Sequence, residues 1–443
     1  MLQTIRNAWK IADLRKKLLF TFAILLLYRL GNVIPVPFVN TVTMSAMFQS
    51  SEIQNSILGL FNMMSGSAFS RATLFALSIQ PYINASIIIQ LLTIAIPALE
   101  RLSKEGGEEG KKKIERITRY TTVGLALLMG WAYWMMLKSS NTSSIANGTG
   151  EILVQTGFIP ALTVILSFTA GSTLVMWLGE QITEFGIGNG ISMILFANIV
   201  SRLPDMLISL FVGSDGKGGL IYDFKGYWYV ALVALVGIVG LIMLIVFVTN
   251  AERRLPVSYA KRVVGRKVYG GQNTFLPIKV NMSGVLPIIF AQSVATLPAT
   301  IAAFAGKTDT WRYKNLWSNT SVPYLVIYLI LIIAFSYFYS TIQYNPVEIA
   351  NNLRKNGGFI PGYRPGRPTS DFIKRVINKI TLFGALFLGL VAILPIVTGM
   401  ISSKFSSMAI GGTSVIIVVG VALETVQAIE AQMLMRHYKG FLE

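Results

Sequence analysis

The stretch YWYVALVALVGIVGLIMLIVFVT, residues 227–249, contains no charged side chain. An α-helix needs about 20 mostly apolar residues to cross the hydrocarbon core of a bilayer, so this stretch predicts a membrane span. Composition extends the argument to the whole chain, because 53% of its 443 residues are hydrophobic and only 13% are charged. A soluble chain of this length needs far more charge to cover its surface. We therefore predict a polytopic membrane protein.

The same length rule gives ten predicted spans in an all-α fold. Five precede a linker at 213–226 and five follow it, so the predicted halves are 1–212 and 227–443. Because five is odd, the halves must cross the membrane in opposite directions. This inverted-repeat geometry tends to place a pathway at the interface of the halves. The spans are Leu18–Pro37, Ala72–Ile96, Ile117–Leu137, Gly157–Leu178, Ile191–Val212, Tyr227–Thr249, Met282–Phe304, Pro323–Thr341, Ile380–Met400 and Thr413–Met433.

The formal net charge is +18, from 38 Lys and Arg against 20 Asp and Glu. Such an excess indicates either nucleic-acid binding or the gathering of basic residues in cytoplasmic loops. The predicted topology places 28 of the 38 in the amino-terminal segment, in the loops on the same side, and in the tail. We therefore expect both termini to be cytoplasmic. The amino-terminal segment shows no small-residue cleavage site, and we expect it to be retained.

Several kinds of chemistry are excluded by residue type. The chain has no cysteine, which excludes disulfides, thiol catalysis and thiolate metal sites, and its one histidine is His437. No zinc-protease, serine-hydrolase or paired-carboxylate pattern occurs. Away from the span ends, the ionisable groups within spans are few: Arg29, Glu424, and Arg202 with Asp205. These are functional candidates by default, but they are too few for a proton-driven pump. The residues therefore give no sign of a catalytic, metal or cofactor site.

Residues 57–71, ILGLFNMMSGSAFSR, fit neither a span nor an external loop. They are too polar and glycine-rich for a lipid-facing helix, and too apolar for a loop in water. Irregular backbone at membrane depth is tolerated only inside protein or a cavity. A short re-entrant segment at the bundle centre fits this pattern, and so does an interfacial helix lying on the membrane.

Two loops on the predicted cytoplasmic side, 250–281 and 342–379, are long and basic. Aromatic and β-branched residues in the first are spaced as in a hairpin. Glycines and prolines in the second indicate a structured loop rather than a helix. Ordered long loops usually carry function, which favours a docking surface for a large acidic partner such as ribosomal RNA. Solvated charge that only anchors the topology is the alternative.

Five segments, in the right order along ten spans, resemble the SecY family (Sec61α in eukaryotes). The family forms the centre of the Sec protein-conducting channel, and the resemblance covers nearly the whole chain. It implies a multi-pass bacterial cell-membrane protein whose five-helix halves form a clamshell around an hourglass pore. The segments are Phe61–Gln90, Gly186–Ser192, Tyr259–Gly284, Gly362–Gly366 and Gly411–Val421.

The resemblance also implies a ring of six apolar side chains at the waist of the pore. Such a ring gates by dewetting, because a narrow apolar constriction excludes water and ions without binding a passing chain. Ile83 with Ile87 and Ile191 with Leu195 are i,i+4 pairs, so each pair shares a helix face. Ordinary bundle packing would give the same pattern. The six positions are Ile83, Ile87, Ile191, Leu195, Ile289 and Ile417.

Residues 57–71 match the family's plug, which lies on the external side of the ring. The predicted plug residues are Phe61, Asn62, Met63, Met64, Ser65, Gly66, Ser67 and Arg71. A lateral gate, through which signal sequences and membrane segments reach lipid, is implied between the second span and the seventh and eighth. Its candidate polar residues are Gln90, Thr93 and Gln292.

Basic loop positions match those where the family docks its cytoplasmic partners, the ribosome and the SecA ATPase. No nucleotide-binding loop occurs in this chain, so the energy for moving polypeptides is expected to come from such a partner. SecE would clasp the halves, and SecG would bind peripherally. A secondary transporter built on an inverted five-plus-five repeat remains the alternative function. The docking positions are Arg253, Arg254, Lys261, Arg262, Arg364 and Arg367.

Overall fold

The structure is a computed structural model that describes most of the chain. Its described residues are 2–48, 57–104, 106–146, 150–211, 213–214, 220–221, 224–259, 262–264, 267–269, 273–282, 284–304, 321–401 and 411–439.

Helices dominate these described residues. In chain order, α1–α15 are Leu2–Lys10, Ala12–Gly31, Thr41–Met47, Ile57–Met64, Gln80–Ala95, Pro97–Lys104, Gly107–Ala146, Phe158–Phe185, Gly190–Phe211, Phe224–Asn250, Leu286–Phe304, Val322–Gln343, Pro346–Lys355, Arg367–Ile401 and Gly411–Lys439. Strands β1–β7 are Gly213–Ser214, Leu220–Ile221, Glu252–Tyr259, Arg262–Val264, Lys267–Tyr269, Asn273–Lys279 and Gly358–Phe359.

The helices confirm a multi-span membrane protein, and a helix overlaps each of the ten predicted spans. Helices α5 and α6 are long and apolar enough for a span only when taken together, and they meet at a bend of 104° at Ile96. Among the described residues, five stretches are long and apolar enough to cross a membrane alone: Gly107–Thr142, Phe158–Phe185, Val322–Lys355, Arg367–Leu394 and Ser414–Leu434. The shorter apolar helices are Gly190–Pro204, Leu235–Asn250 and Leu286–Pro298. The number ten itself stays a prediction.

The second predicted span was wrong at its start. It was placed at Ala72, whereas α5 begins at Gln80, with Pro81 in its first turn. Proline suits that position because the N–H it lacks would be unpaired in any case. The residues before α5 form turns instead, in which Ser67 and Ser78 have positive φ. The helix starts where the backbone hydrogen bonds of these turns end.

The first and ninth predicted spans also had wrong limits. Helix α2 ends at Gly31 rather than at Pro37, and Pro35 forms an isolated β-bridge with Thr73. Because proline cannot continue a helix, the chain that follows α2 is extended at Pro35. Helix α14 begins at Arg367, well before the predicted Ile380. Its first turns are amphipathic and pack on a small domain outside the bundle. A search for apolar runs does not detect such turns as part of the helix.

Both long loops build that small domain, which we call the loop domain. Strand β3 pairs antiparallel with β6, with Glu252 opposite Lys279, and with β7, with Ser258 opposite Phe359. The hairpin predicted in the first loop is therefore confirmed. The core of the domain draws on β3, β6, α13 and α14, and joins the two loops into one unit. Its buried residues are Leu255, Val257, Ile278, Met282, Ala350, Ile360, Ile373 and Ile377.

The second loop contains a helix, contrary to the prediction of a structured loop without one. Asn345 caps α13 by accepting hydrogen bonds from the N–H groups of Val347 and Glu348. Proline follows in the first turn, Glu348 adds an acidic group there, and basic side chains end the helix. Each of these features stabilises a helix terminus. Because α13 has only ten residues, the glycines and prolines on either side of it obscured its helical pattern in the sequence.

The bundle is held by two large apolar clusters. The central cluster takes residues from both halves of the sequence, on helices including α2, α5, α9, α11, α12 and α15. The second packs α3, α4, α7 and α8 around edge-to-face rings, with Phe69 and Phe168 at 4.6 and 4.7 Å from Tyr133 between their centroids. The central cluster is where a pathway between the halves would run.

Candidate pore, plug segment and lateral gate

The structure brings all six predicted ring residues to the central cluster. Five of them are at most 4% exposed, and Ile191 is half-buried against the same cluster. They come from four helices: α5 carries Ile83 and Ile87, α9 carries Ile191 and Leu195, and α11 and α15 contribute one each. The result is an apolar centre with helices from both sequence halves around it. Its role as a ring stays a prediction, since packing alone also buries such residues.

The plug segment, residues 57–71, lies beside this cluster. It begins as α4 and contacts α9 and α11. Its residues from Phe61 to Ser65 are buried, Gly66 and Ser67 are half-buried, and Arg71 is exposed. Such burial fits a re-entrant segment at the bundle centre rather than a helix lying on the membrane surface. It also explains why the segment is apolar without being long enough to span.

Polar side chains fold the end of the plug segment back on itself. Asn62 Oδ1 accepts a hydrogen bond from the N–H of Ser70 at 3.0 Å, and Ser65 Oγ accepts one from the N–H of Phe69 at 3.0 Å. The Tyr133 hydroxyl donates to the Phe69 carbonyl at 2.7 Å. These bonds satisfy buried backbone groups of Phe69 and Ser70, in the turns that follow α4. Asn62 and Ser65 are thus structural within the segment.

Asn198 on α9 contacts the plug segment, and the sequence-based prediction missed it. Its Nδ2 lies 2.8 Å from the Met64 carbonyl oxygen, 2.8 Å from the Tyr28 hydroxyl and 3.3 Å from Ser78 Oγ. The available sequence signal was a lone amide three positions after Leu195, in the largely apolar stretch of α9 that precedes Arg202. Polar groups in such helices usually have a partner inside the bundle.

The predicted lateral gate falls on the seam between α5 and the pair α11 and α12. Gln90 Oε1 accepts a hydrogen bond from the Tyr339 hydroxyl on α12, and its Nε2 donates to Ser86 Oγ at 3.2 Å. Thr93 Oγ1 bonds within its own helix, to the Gln90 carbonyl at 2.7 Å. Gln292 on α11 is 6% exposed. Of the three candidates, Gln90 contacts the opposite helix, and its partner Tyr339 was not predicted.

Four of the predicted docking residues are exposed on the loop domain. Arg253 and Arg254 lie on β3, where Arg254 Nε is 2.7 Å from Glu252 Oε1. Arg364 lies in the turn before α14, and Arg367 is the first residue of that helix. Because β7 pairs with β3, these positions belong to one folded unit rather than to two separate loops. The other two predicted positions, Lys261 and the side chain of Arg262, lie outside the described residues.

Two charged residues within the predicted spans, Arg29 and Glu424, have contacts among the described residues. Arg29 Nη2 donates to the Ala197 carbonyl at 3.4 Å, next to Asn198. Glu424 faces Gly284, where an added Cβ would lie 2.4 Å from its Oε1 and the φ of +64° also favours glycine. The side chain of Asp205 is not described, so a role for Arg202 and Asp205 stays a prediction. None of the described residues forms a metal-binding group of His, Cys, Asp or Glu.

These features define a class: a multi-span helical membrane protein with an apolar centre, a buried re-entrant segment and a basic loop domain. Comparison with known proteins specifies it further. The family model for SecY matches residues 73–426. The chain is 44% identical to the protein translocase subunit SecY of Streptomyces scabiei, with 100% of both chains covered. The chain belongs to the SecY family of protein translocase subunits.

Solved channel structures share the fold. One is a SecY whose plug domain is described as stabilising the closed state of the translocation channel and maintaining a membrane seal; the TM-score is 0.62 at 17% identity, with 94% of this chain and 92% of that one covered. Another is Sec61 in a canine ribosome–channel complex from the endoplasmic reticulum, with a TM-score of 0.60 at 16% identity and coverage of 94% and 92%. The resemblance found in the sequence is confirmed, and the transporter alternative gains no support.

Proposed function

We propose that this chain forms the polypeptide-conducting pore of a translocase in the bacterial cell membrane and is not itself an enzyme. The full-length identity to a translocase subunit carries the proposal. The two halves, 1–212 and 227–443, would part around the central cluster when a chain passes. No cofactor is needed, because the chain's task is to provide a path, and the driving energy comes from a partner.

Closure rests on the six apolar residues from Ile83 to Ile417 and on the plug segment beside them. Apolar side chains around a narrow gap dewet it, so ions and protons lose the water that would carry them. The same side chains make no strong bonds to a passing polypeptide. The plug segment, buried against α9 and α11, would fill the path on the external side until the two halves separate.

Lateral release would occur at the seam of α5 with α11 and α12. Gln90 and Tyr339 bridge this seam, and a hydrogen bond between membrane helices contributes on average only about 0.6 kcal/mol. A signal sequence or membrane segment of sufficient hydrophobicity could therefore displace it. Thr93 and Gln292 would line the opened seam.

The loop domain would dock the partners. Its exposed arginines, with Lys261 and Arg262 between them in sequence, suit phosphate-rich or acidic surfaces. We assign the ribosome and the SecA motor to this face, and SecE and SecG to the periphery of the bundle. A Sec61 relative is known in a ribosome–channel complex, which supports the first assignment. Both termini would then be cytoplasmic, on the side of the loop domain.

Deleting residues 57–71 tests the proposal most directly. We expect the purified complex in planar bilayers to conduct ions at rest at least tenfold more than the intact complex, because the dewetted gap loses its cover. An Arg71→Ala variant is the matched control, since Arg71 is exposed at the end of the same segment.

Proteoliposomes that contain the intact complex should take up a signal-bearing precursor, and so protect it from added protease, when the motor and ATP are supplied. Unchanged leak after the deletion would contradict the role of the plug segment. Uptake of small solutes without precursor protection would favour a transporter instead.

A further inference from the structure

Asn198 lies at a point where four parts of the chain meet. Its side chain is 0% exposed on α9, and its Nδ2 contacts the Tyr28 hydroxyl of α2, the Met64 carbonyl of α4 and Ser78 Oγ in the turn before α5. An amide nitrogen has two hydrogens, so the longest contact, to Ser78, shares one of them. A buried amide is kept in place by such bonds because leaving it unpaired is costly.

The contact to Met64 has a specific structural cause. Helix α4 ends at Met64, and the last carbonyls of a helix have no partner within it. Asn198 supplies the donor. The chain then turns at Gly66, where φ is +65° and an added Cβ would lie 3.0 Å from both Asn198 Oδ1 and Arg29 Nη1. The plug segment therefore lies directly against Asn198, with no room for a side chain between them.

The described polar contacts of the plug segment favour one side of the bundle. From the first five spans come Asn198, the Tyr133 hydroxyl, and Gln80 Nε2, which lies 3.5 Å from Met64 Sδ. From the last five comes Ser414, whose Oγ lies 3.6 Å from Met63 Sδ, a weak contact to a thioether.

The surface that receives the plug segment is fixed within the same half. Ser172 Oγ donates to the Ser78 carbonyl at 3.1 Å, Tyr28 and Ser78 share a hydrogen bond of 3.2 Å, and Tyr28 stacks on Phe75 at 5.5 Å. These contacts orient the partners of Asn198 before the plug segment binds.

We propose that Asn198 is the positioning residue that holds the plug segment in its closed place, and that it keeps the segment attached to the N-terminal half when the halves separate. This inference rests on the proposed role of residues 57–71 as a plug. It adds a named latch and a direction of movement: the C-terminal half leaves the plug segment behind.

The first test measures the position of the plug segment directly. Because the chain has no cysteine, spin labels on Ser67→Cys and Val154→Cys report one distance within the N-terminal half. In Asn198→Leu we expect the displaced population to rise about tenfold, since a buried carbonyl loses its donor. Ser340→Ala is the matched control, because it removes a buried hydrogen bond to Thr381 far along the sequence in the other half. An unchanged distance distribution in Asn198→Leu would overturn the latch.

A second variant reaches the same contact from the plug side. Gly66→Ala places a Cβ against Asn198 Oδ1 and Arg29 at a φ that alanine rarely adopts. Gly66→Ala should displace the plug segment as Asn198→Leu does. The double variant should show little more displacement than either single variant. Fully additive effects would mean that Asn198 acts elsewhere. If Asn198→Leu does not fold, the displacement caused by Gly66→Ala alone still tests the contact, and an undisplaced segment in that variant would contradict it.

Resting conductance of the same variants separates the two proposals. A displaced segment with a raised leak supports both the latch and the seal. A displaced segment with an unchanged leak keeps the latch and overturns the sealing role of residues 57–71. A raised leak with the segment in place overturns the latch alone.

The direction of movement is tested with a stalled precursor in the wild-type background. The distance from Ser67→Cys to Val154→Cys should stay constant, while the distance from Ser67→Cys to Val322→Cys should lengthen. Val154 and Val322 are exposed and belong to opposite halves. The reverse result would show that the plug segment travels with the C-terminal half and would overturn this part of the inference.

Discussion

The two seams between the halves of the bundle differ in what holds them together. The front seam joins α5 to α11 and α12, and its contacts include the hydrogen bond between Gln90 and Tyr339. The back seam joins α1, α2 and α9 to α15. There Leu14 and Ile187 pack with Ile429 in an apolar cluster.

The two seams have different surroundings, water at one and lipid at the other, so their contacts differ in how much they stabilise the closed bundle. The back cluster lies near the predicted cytoplasmic ends of its helices, where water is close and apolar burial is favourable. In the front seam the alternative neighbour is lipid, which is as apolar as the helices, so packing and a hydrogen bond supply what attraction there is. We therefore expect such a bundle to open at the front seam and to turn about the back seam.

Polar contacts also reinforce the back seam. Lys17 Nζ donates to Gln432 Oε1 at 3.3 Å, and Thr425 Oγ1 lies 3.4 Å from Met193 Sδ. The first joins α2 to α15 and the second joins α9 to α15, so two helices of the N-terminal half are tied to one of the C-terminal half.

Crosslinking each seam should give the largest contrast. We expect a short bismaleimide between Gln90→Cys and Tyr339→Cys to abolish precursor translocation, because the front seam can no longer open. The same reagent between Lys17→Cys and Gln432→Cys should leave most activity. Protease protection of a precursor in proteoliposomes measures both. Equal inhibition by the two crosslinks would mean that the seams do not differ in movement.

The loop domain connects to the front seam, since β6 leads into α11 and α13 follows α12. Reversing the charge at Arg364 should weaken binding of the motor or ribosome about 10- to 100-fold, because a like-charge contact at a docked surface costs several kcal/mol. Arg71→Glu, an exposed charge on the predicted opposite side, is the control. Binding measured by co-sedimentation should fall only in Arg364→Glu. Normal export by that variant would exclude Arg364 from docking.

Removing single hydrogen bonds should give the smallest effect. Tyr339→Phe deletes the hydroxyl that bridges the front seam, and we expect about threefold more export of a precursor with a weakened signal sequence, in line with ~0.6 kcal/mol per interhelical bond. Gln432→Leu removes the back-seam partner of Lys17 and should leave that export unchanged. A larger effect from Gln432→Leu than from Tyr339→Phe would reverse the order of the seams.

The sequence predicted the features that depend on local composition. Apolar runs such as 227–249 could be recognised as membrane spans because the length of a span and its lack of charge are properties of consecutive residues. The hairpin of the loop domain followed from residues that are near each other in sequence. The plug segment was distinctive because its composition fits neither lipid nor water.

The failures have one cause, which is that the deciding partner lies far along the chain. Nothing local to Gln80 shows that the residues before it form turns, because those turns pair with the chain after α2. Helix α13 needed Asn345 to be recognised as a cap amid glycines and prolines. Tyr339 became a gate residue only by meeting Gln90, 249 positions away.

By itself, the sequence determined the membrane class, the approximate spans, the basic loops and the family, because hydrophobicity, charge and motifs are carried by neighbouring residues. The tertiary structure decided which polar groups meet: Asn198 with Met64 across 134 positions, and the two basic loops within one sheet. A buried hydrogen bond depends on distance and angle in space. Only the folded bundle brings those atoms together, and with them the candidate latch and gate.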